Sequence, residues 1–279
     1  MTEPFTRSPD EQLDTVNEQV RLIRRKNGLT FGTDAFLLAA FVRPQPRAAA
    51  VDLGSGTGIL PLLLCAKNKV KTVLAAELQP EYAELCRRNA ALNGMSDRIT
   101  VWNGDVRALN LQICGGEVGL VISNPPYLRP GSGRSNRHTE KEIARHEVAG
   151  GIGDFCAAAG RILRTGGRFC VVWKPERLPE LFAAMRANRL EPKRMTVVHA
   201  DASREPCAIL AEAVRDGLPD LRITPPLFLY EPNTSPTGTR VLTAEAKKIY
   251  DTCEWMGENR ATLFLWIPIK QRRYSHEKE

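Results

Sequence analysis

Apolar positions change their spacing along this chain, and the change divides it into a short lead-in and a long alternating body. In residues 10–26, Leu13, Val16, Val20 and Ile23 recur at intervals of three and four, the spacing of one helix face. The other side carries Arg21, Arg24, Arg25 and Lys26, and Asn27-Gly28 follows as a stop signal. The pattern predicts a basic amphipathic helix. A second helix is expected after Gly32-Thr33-Asp34, through Ala35 to Phe41, before Pro44 and Pro46 break the chain.

From Ala48 onward short apolar runs alternate with helical stretches. Strands are expected over 49–53, 72–77, 99–102, 119–123, 168–173, 193–199 and 207–214. Helices are expected over 59–67, 80–93, 154–163 and 177–188, the second opening with Pro80 and closing at Asn93-Gly94. Strands alternating with helices predict an α/β domain, with a mostly parallel seven-stranded sheet covered on both faces. The expected organisation is an N-terminal helical extension (1–47), a main domain (48–235) and a C-terminal extension (236–279). Residues 128–151 read as a long polar loop, the Pro-rich stretch 225–236 and the tail beyond 253 as peripheral. No internal repeat is visible.

A length of 279 residues suits one large domain with appendages, and 43% hydrophobic with 25% charged residues is ordinary for a globular protein. No apolar run is long enough to span a bilayer. The first residues lack a basic segment followed by an apolar core, so a cytoplasmic location is expected. The seven cysteines are dispersed without a CxxC pair and the four histidines without HxxxH spacing, which argues against a disulfide framework and a metal site. A net charge of +7 fits a polyanionic partner such as RNA or DNA and fits a merely basic protein equally well.

Two stretches carry chemistry. Asp52-Leu53-Gly54-Ser55-Gly56-Thr57-Gly58 closes the first strand of the body and opens its first helix. Its glycines permit a tight turn and close approach of a ligand to backbone. About 20 residues on, the next strand ends in Glu77, an acid placed for a ribose diol. The spacing is GxGxG with an acid two residues before it, whereas a dinucleotide site would use GxGxxG; a NAD-dependent oxidoreductase is thereby disfavoured. The loop resembles methyltransferase motif I, which implies S-adenosylmethionine, a ligand with an ammonium and a sulfonium that acids suit. Asp105, after the third strand of the body, is placed by that resemblance at the adenine.

The second stretch, Asn124-Pro125-Pro126-Tyr127, follows the fourth strand of the body, at the sheet edge where ligands bind. An exocyclic amino group on a flat ring is a weak nucleophile because its lone pair is delocalised. The Asn124 amide oxygen and the Pro125 carbonyl can accept its two hydrogens and turn that lone pair outward, proline fixes the backbone, and Tyr127 can stack on the ring. Asn is no base near neutral pH, so catalysis would rest on positioning and electrostatics.

Together with Phe31 to Ala39, Ala144-Arg145-His146-Glu147, Lys174-Pro175-Glu176-Arg177-Leu178 and Pro225-Pro226-Leu227, these motifs resemble the bacterial tRNA1(Val) adenine-N6 methyltransferases over about residues 15–250. The resemblance implies a Rossmann-like class I methyltransferase fold, tRNA as partner, and no metal. It implies that Asp52, Gly54, Gly56, Gly58, Glu77, Asp105 and Asn124 bind S-adenosylmethionine, that Thr33 and Asp34 close over its methionine end, and that Asn124, Pro125 and Tyr127 hold the target base. A plain helix cap is the other reading of Thr33-Asp34. Expected phosphate contacts are Arg24, Arg25, Lys26, Arg129, Arg134, Arg137, Lys174 and Arg177, each also readable as solvating surface charge. Two other functions stay open. Asn-Pro-Pro-Tyr also occurs in enzymes that methylate protein glutamine, against which stands the lack of a separate N-terminal helical domain. A non-enzymatic S-adenosylmethionine- or RNA-binding module is the other, against which stand the intact Asn124 and Tyr127. The tail from Cys253 to Glu279, with Lys270-Gln271-Arg272-Arg273, departs from the family pattern.

Overall fold

In a computed structural model the described residues are 8–28, 32–125, 150–232 and 240–255. In chain order the elements are β1 (Glu11–Thr15), β2 (Arg21–Arg25), α1 (Thr33–Phe41), β3 (Gln45–Leu53), α2 (Ile59–Ala66), β4 (Val70–Glu77), α3 (Pro80–Leu92), β5 (Ile99–Asn103), α4 (Leu111–Cys114), β6 (Val118–Ser123), α5 (Ile152–Ile162), β7 (Leu163–Trp173), α6 (Leu178–Ala187), β8 (Leu190–His199), β9 (Pro206–Arg215), β10 (Arg222–Ile223), β11 (Leu227–Phe228) and α7 (Ala244–Thr252).

The seven long strands of the body form one sheet in the order β8-β9-β7-β6-β3-β4-β5, with the two-residue β10 and β11 added on β8. β9 runs antiparallel to both neighbours and the other pairings are parallel. Central β6, Val-Gly-Leu-Val-Ile-Ser, is buried along its whole length, as a parallel strand with helices on both faces must be. Successive units step from β3 outward to β5 and then return to β6 on the other side of β3. The β3–β6 junction is therefore the point where strand order reverses, the usual place for a ligand in an open α/β sheet.

The α1 helix is buried from Ala35 to Phe41. Its C-terminal carbonyls are capped from elsewhere: the buried Lys69 Nζ donates to Ala39 O, Ala40 O and Val42 O at 2.7, 3.0 and 2.9 Å. A cation at a helix C-terminus satisfies orphan carbonyls and opposes the dipole.

Two expectations are corrected. Residues 10–26 are a β-hairpin, with Leu13 opposite Ile23. The positions that imitate a helix face are also mirror images about Glu18: 13 faces 23, and Val16 donates its N–H to Val20 O at 2.9 Å. The turn is decided by Asn17, whose Oδ1 accepts from the N–H groups of Gln19 and Val20, each at 2.9 Å, an Asx-type arrangement. Ile23 is then buried with Tyr82 and Leu85 of α3. The second correction concerns the C-terminal side. Residues 244–252, where no element was expected, form α7: Ala246, Ile249 and Cys253 sit in the same apolar cluster as α1 and α2, and Tyr250 meets the Phe36 ring edge-on at 5.6 Å; at the start of the tail expected to be peripheral, Trp255 meets the Phe41 ring edge-on at 5.6 Å. β7 itself is interrupted by a register shift against β6 around Gly166 (φ +76°).

Candidate functional site

At the reversal point Leu53 of β3 lies opposite Ser123 of β6, and Ser123 Oγ donates to Leu53 O at 2.8 Å. The next residues are Gly54 and Asn124. They leave neighbouring strands, which run about 4.8 Å apart, at the same edge of the sheet. The two stretches singled out in the sequence thus start side by side. Asn124 is half-buried and Pro125 buried.

The glycine loop takes the shape its sequence demands. Gly54, Gly56 and Gly58 have φ of +75, +55 and +87°, the left-handed region that side chains resist. Gly58 is confined as well: a Cβ there would lie 2.5 Å from Cys86 Sγ on α3. The N–H groups of Gly54 and Ser55 donate to Ala76 O at 2.9 and 3.1 Å. Glu77 braces the turn, because its Oε2 accepts the Gly56 N–H and its Oε1 the Gln79 N–H, each at 2.8 Å. Burial pushes its carboxyl pKa up, against the pull of those N–H donors. Each carboxylate oxygen keeps a second lone pair for a hydroxyl donor, so the brace and the expected ribose contact are compatible.

Asp52 is wholly buried, and among the described residues neither carboxylate oxygen has a hydrogen-bond partner. Burial pushes its pKa up to about 7, with the Ser55 hydroxyl pulling the other way and the nearby Glu77 adding to the rise. An unpaired buried carboxylate is costly; beside a loop of left-handed glycines it fits a cationic ligand. The ammonium and sulfonium of S-adenosylmethionine meet that requirement. Asp105 starts a short 3-10 turn (Val106–Ala108) and accepts the Arg107 N–H at 2.9 Å. The Arg107 guanidinium pairs with the same carboxylate and holds its pKa below the usual range.

The simple cap reading of Thr33-Asp34 does not hold: Gly32 occupies the cap without a side-chain bond, and Thr33 and Asp34 are the first two helical residues. Thr33 is exposed and Asp34 half-buried. Asp34 and Lys174 both act electrostatically on the Cys207 thiol at the start of β9, which puts the α1 N-terminus and the end of β7 in one neighbourhood at the ligand edge. The expected phosphate contacts are partly engaged. Arg24 Nε pairs with Asp14 at 2.5 Å, Arg25 with Glu81 at 3.1 Å, and Lys26 Nζ donates to Pro9 O at 2.9 Å. Arg177 pairs with Glu180 at 2.7 Å and stacks over Trp173. These basic residues lie on a hairpin and at a helix start, not along one helix face. Tyr127, Arg129, Arg134, Arg137, His146 and Glu147 lie outside the described residues.

Sequence reasoning missed two supports. Phe155 of α5 backs Gly54, at 3.5 Å from where a Cβ would stand, and Asn89 of α3 donates to Thr57 O at 2.9 Å inside the loop. An Asn pair at 89 and 93, one helical turn apart, was the available signal for the second. Among the described residues no group of His, Cys, Asp or Glu is arranged to hold a metal ion, and no helix is long and apolar enough to cross a membrane.

Residues 26–186 match the family model described as the methyltransferase small domain. A tRNA1(Val) (adenine(37)-N6)-methyltransferase of Porphyromonas gingivalis is 31% identical over 187 residues, 65% of this chain and 72% of the relative. One of the same name from Cronobacter sakazakii is 29% identical over 180 residues, 59% and 72% of the two chains. Among solved structures, a predicted O-methyltransferase from Agrobacterium tumefaciens superposes with a TM-score of 0.63 at 24% identity, covering 81% of this chain and all of that one. P. horikoshii TYW2 in complex with MeSAdo gives 0.52 at 17% identity, covering 75% and 73%. These two structures share the fold. On the family match and the sequence likeness together, this chain belongs to the methyltransferase small domain family, alongside the tRNA1(Val) (adenine(37)-N6)-methyltransferases, and S-adenosyl-L-methionine is its cofactor.

Proposed function

We propose that this chain methylates N6 of an adenine in tRNA, with A37 of tRNA1(Val), the position in its relatives' names, as the preferred target. The observation that carries the reading is the register of β3 against β6, which brings Asn124 beside Gly54. When bound, the cofactor supplies an electrophilic methyl group. The chain's own part is to present the acceptor. The Asn124 side-chain oxygen and the Pro125 carbonyl accept the two amino hydrogens, and Tyr127 stacks on the flat ring. Holding both hydrogens draws the nitrogen lone pair out of conjugation, a positional and electrostatic contribution. Because neither acceptor is a base at neutral pH, the surplus proton leaves to water. Asp52 holds the cofactor's positive end and Glu77 its ribose. Thr33 and Asp34 close the methionine side, and Asp105 takes the adenine after parting from Arg107. A base stacked in an anticodon loop has to swing out to reach this crevice. Lys174, Arg177, Arg24, Arg25 and Lys26, with Arg129, Arg134 and Arg137, contact its phosphates. The place of action is the cytoplasm.

Labelled methyl transfer to total tRNA, total rRNA and a release factor in parallel tests this reading. Label in tRNA, recovered as N6-methyladenosine, is the expected result. Label confined to the protein substrate would replace it with glutamine methylation.

A further inference from the structure

Asn89 stands on α3, wholly buried, and its carboxamide reaches two separate parts of the molecule. Its Oδ1 accepts the Ile23 N–H at 2.7 Å. Its Nδ2 donates to Ile23 O and to Thr57 O, each at 2.9 Å. One turn further on, Asn93 repeats half of this arrangement: Oδ1 accepts the Arg21 N–H at 2.9 Å and Nδ2 donates to Arg21 O at 2.7 Å. On an antiparallel strand alternate residues turn their N–H and C=O away from the partner strand. Arg21 and Ile23 are such residues of β2, and the two asparagines satisfy them as a neighbouring strand would. Asn93 grips the hairpin and, within its own helix, donates to Asn89 O at 2.7 Å, with no bond to the cofactor loop among the described residues. Asn89 grips the hairpin and, with the same amide nitrogen, the carbonyl of Thr57, which lies between Gly56 and Gly58. Three residues earlier on the same helix, Cys86 is the wall against which Gly58 packs.

We propose that Asn89 is a positioning residue that couples the seating of β2 at Ile23 to the shape of the cofactor loop, so that S-adenosylmethionine binding tightens the Ile23 contact and release of that contact, though not of the Arg21 contact held by Asn93, weakens S-adenosylmethionine binding. The two effects must be equal, since coupling between sites is reciprocal. The inference rests on the cofactor assignment and is independent of which nucleotide is methylated. It also gives the basic residues of β2 a second role, as a lever on the cofactor loop.

The test uses the full chain and S-adenosylmethionine alone. Asn89→Ala removes the shared donor, and calorimetry on the folded variant is expected to show about tenfold weaker S-adenosylmethionine binding, the effect of one lost buried hydrogen bond. Asn93→Ala loosens the hairpin without touching Thr57 and is expected to stay within about twofold of the parent. A purely structural role would lower the melting temperature of both variants and leave both affinities alike. In the parent protein, hydrogen exchange of the Ile23 amide is expected to slow when S-adenosylmethionine is added; this readout stands even where Asn89→Ala does not fold. An unchanged affinity in folded Asn89→Ala, an equal loss in Asn93→Ala, or an Ile23 amide indifferent to the cofactor would each overturn the proposal.

Discussion

The two walls of the crevice are made differently. On the β3–β4 side Asp52 and Glu77 are buried, the glycines are fixed by φ and by Phe155 and Cys86, and backbone N–H groups tie the turn to Ala76 and Glu77. On the β6–β7 side Asn124, Asp34 and Lys174 are half-buried, and Thr33 is exposed. The first wall has one ligand to hold and can be built in advance. The second has to admit a base carried on a polymer, so its groups stay near solvent. On the proposed reading the buried wall holds the cofactor, and the accessible side receives the base at Asn124 while Thr33 and Asp34 close over the cofactor's methionine end.

The largest expected effect falls on the accessible wall. Asn124→Ala should lower kcat at least about 100-fold, the order found for removing one preorganised polar contact at a reacting centre, while the calorimetric S-adenosylmethionine affinity stays within about twofold. Equal losses in affinity and turnover would make Asn124 a cofactor ligand first and erase the contrast. On the rigid wall, Gly58→Ala meets both a φ of +87° and the Cys86 sulfur. Denaturant titration should show a loss of about 2–4 kcal/mol. Gly54→Ala, with Phe155 at ordinary contact distance, should lose only about 1 kcal/mol of strain.

A smaller effect is pH-dependent. Burial pushes the Asp52 carboxyl pKa up to about 7, and positive charge on the cofactor favours its ionised form. S-adenosylmethionine affinity should therefore fall about tenfold from pH 8 to pH 6, and Asp52→Asn should flatten the profile. The ligand-free fold should run the other way. A carboxyl whose folded pKa is raised contributes stability at low pH that is lost as pH climbs from the unfolded value to about 7. The smallest effect is expected from Lys174→Ala, a few-fold rise in KM for tRNA with the salt dependence of binding reduced by about one charge. The same change from Arg24→Ala, despite its pairing with Asp14, would shift weight to the hairpin.

How far these walls could be read from sequence follows from their construction. The rigid wall was legible because glycines with φ above zero, an acid at a strand end and uninterrupted apolar strands leave few alternatives. The seven long strands of the body and helices α2, α3, α5 and α6 were all found, with β3 and β7 beginning at Gln45 and Leu163 where 49 and 168 were expected; the short α4 (Leu111–Cys114) was missed. The hairpin was not, because 13, 16, 20 and 23 serve a helix face and a mirror-symmetric hairpin equally. The Asx turn at Asn17 is a local signal that could have chosen between them, whereas the edge-gripping amides of Asn89 and Asn93 are tertiary. α7 was missed for a related reason: its N-cap Thr243, whose Oγ1 accepts the Ala246 N–H at 3.1 Å, follows a proline-rich stretch that reads as linker. Its role depends on rings from α1.

The claim on which the rest stands is that Asn124 turns an adenine amino group toward a cofactor held beside it. Unmodified tRNA incubated with labelled S-adenosylmethionine and then digested to nucleosides tests it most directly. Label should elute as N6-methyladenosine with the parent protein and nearly vanish with a folded, cofactor-binding Asn124→Ala. Label on another nucleoside, or full yield of N6-methyladenosine from the variant, would contradict it.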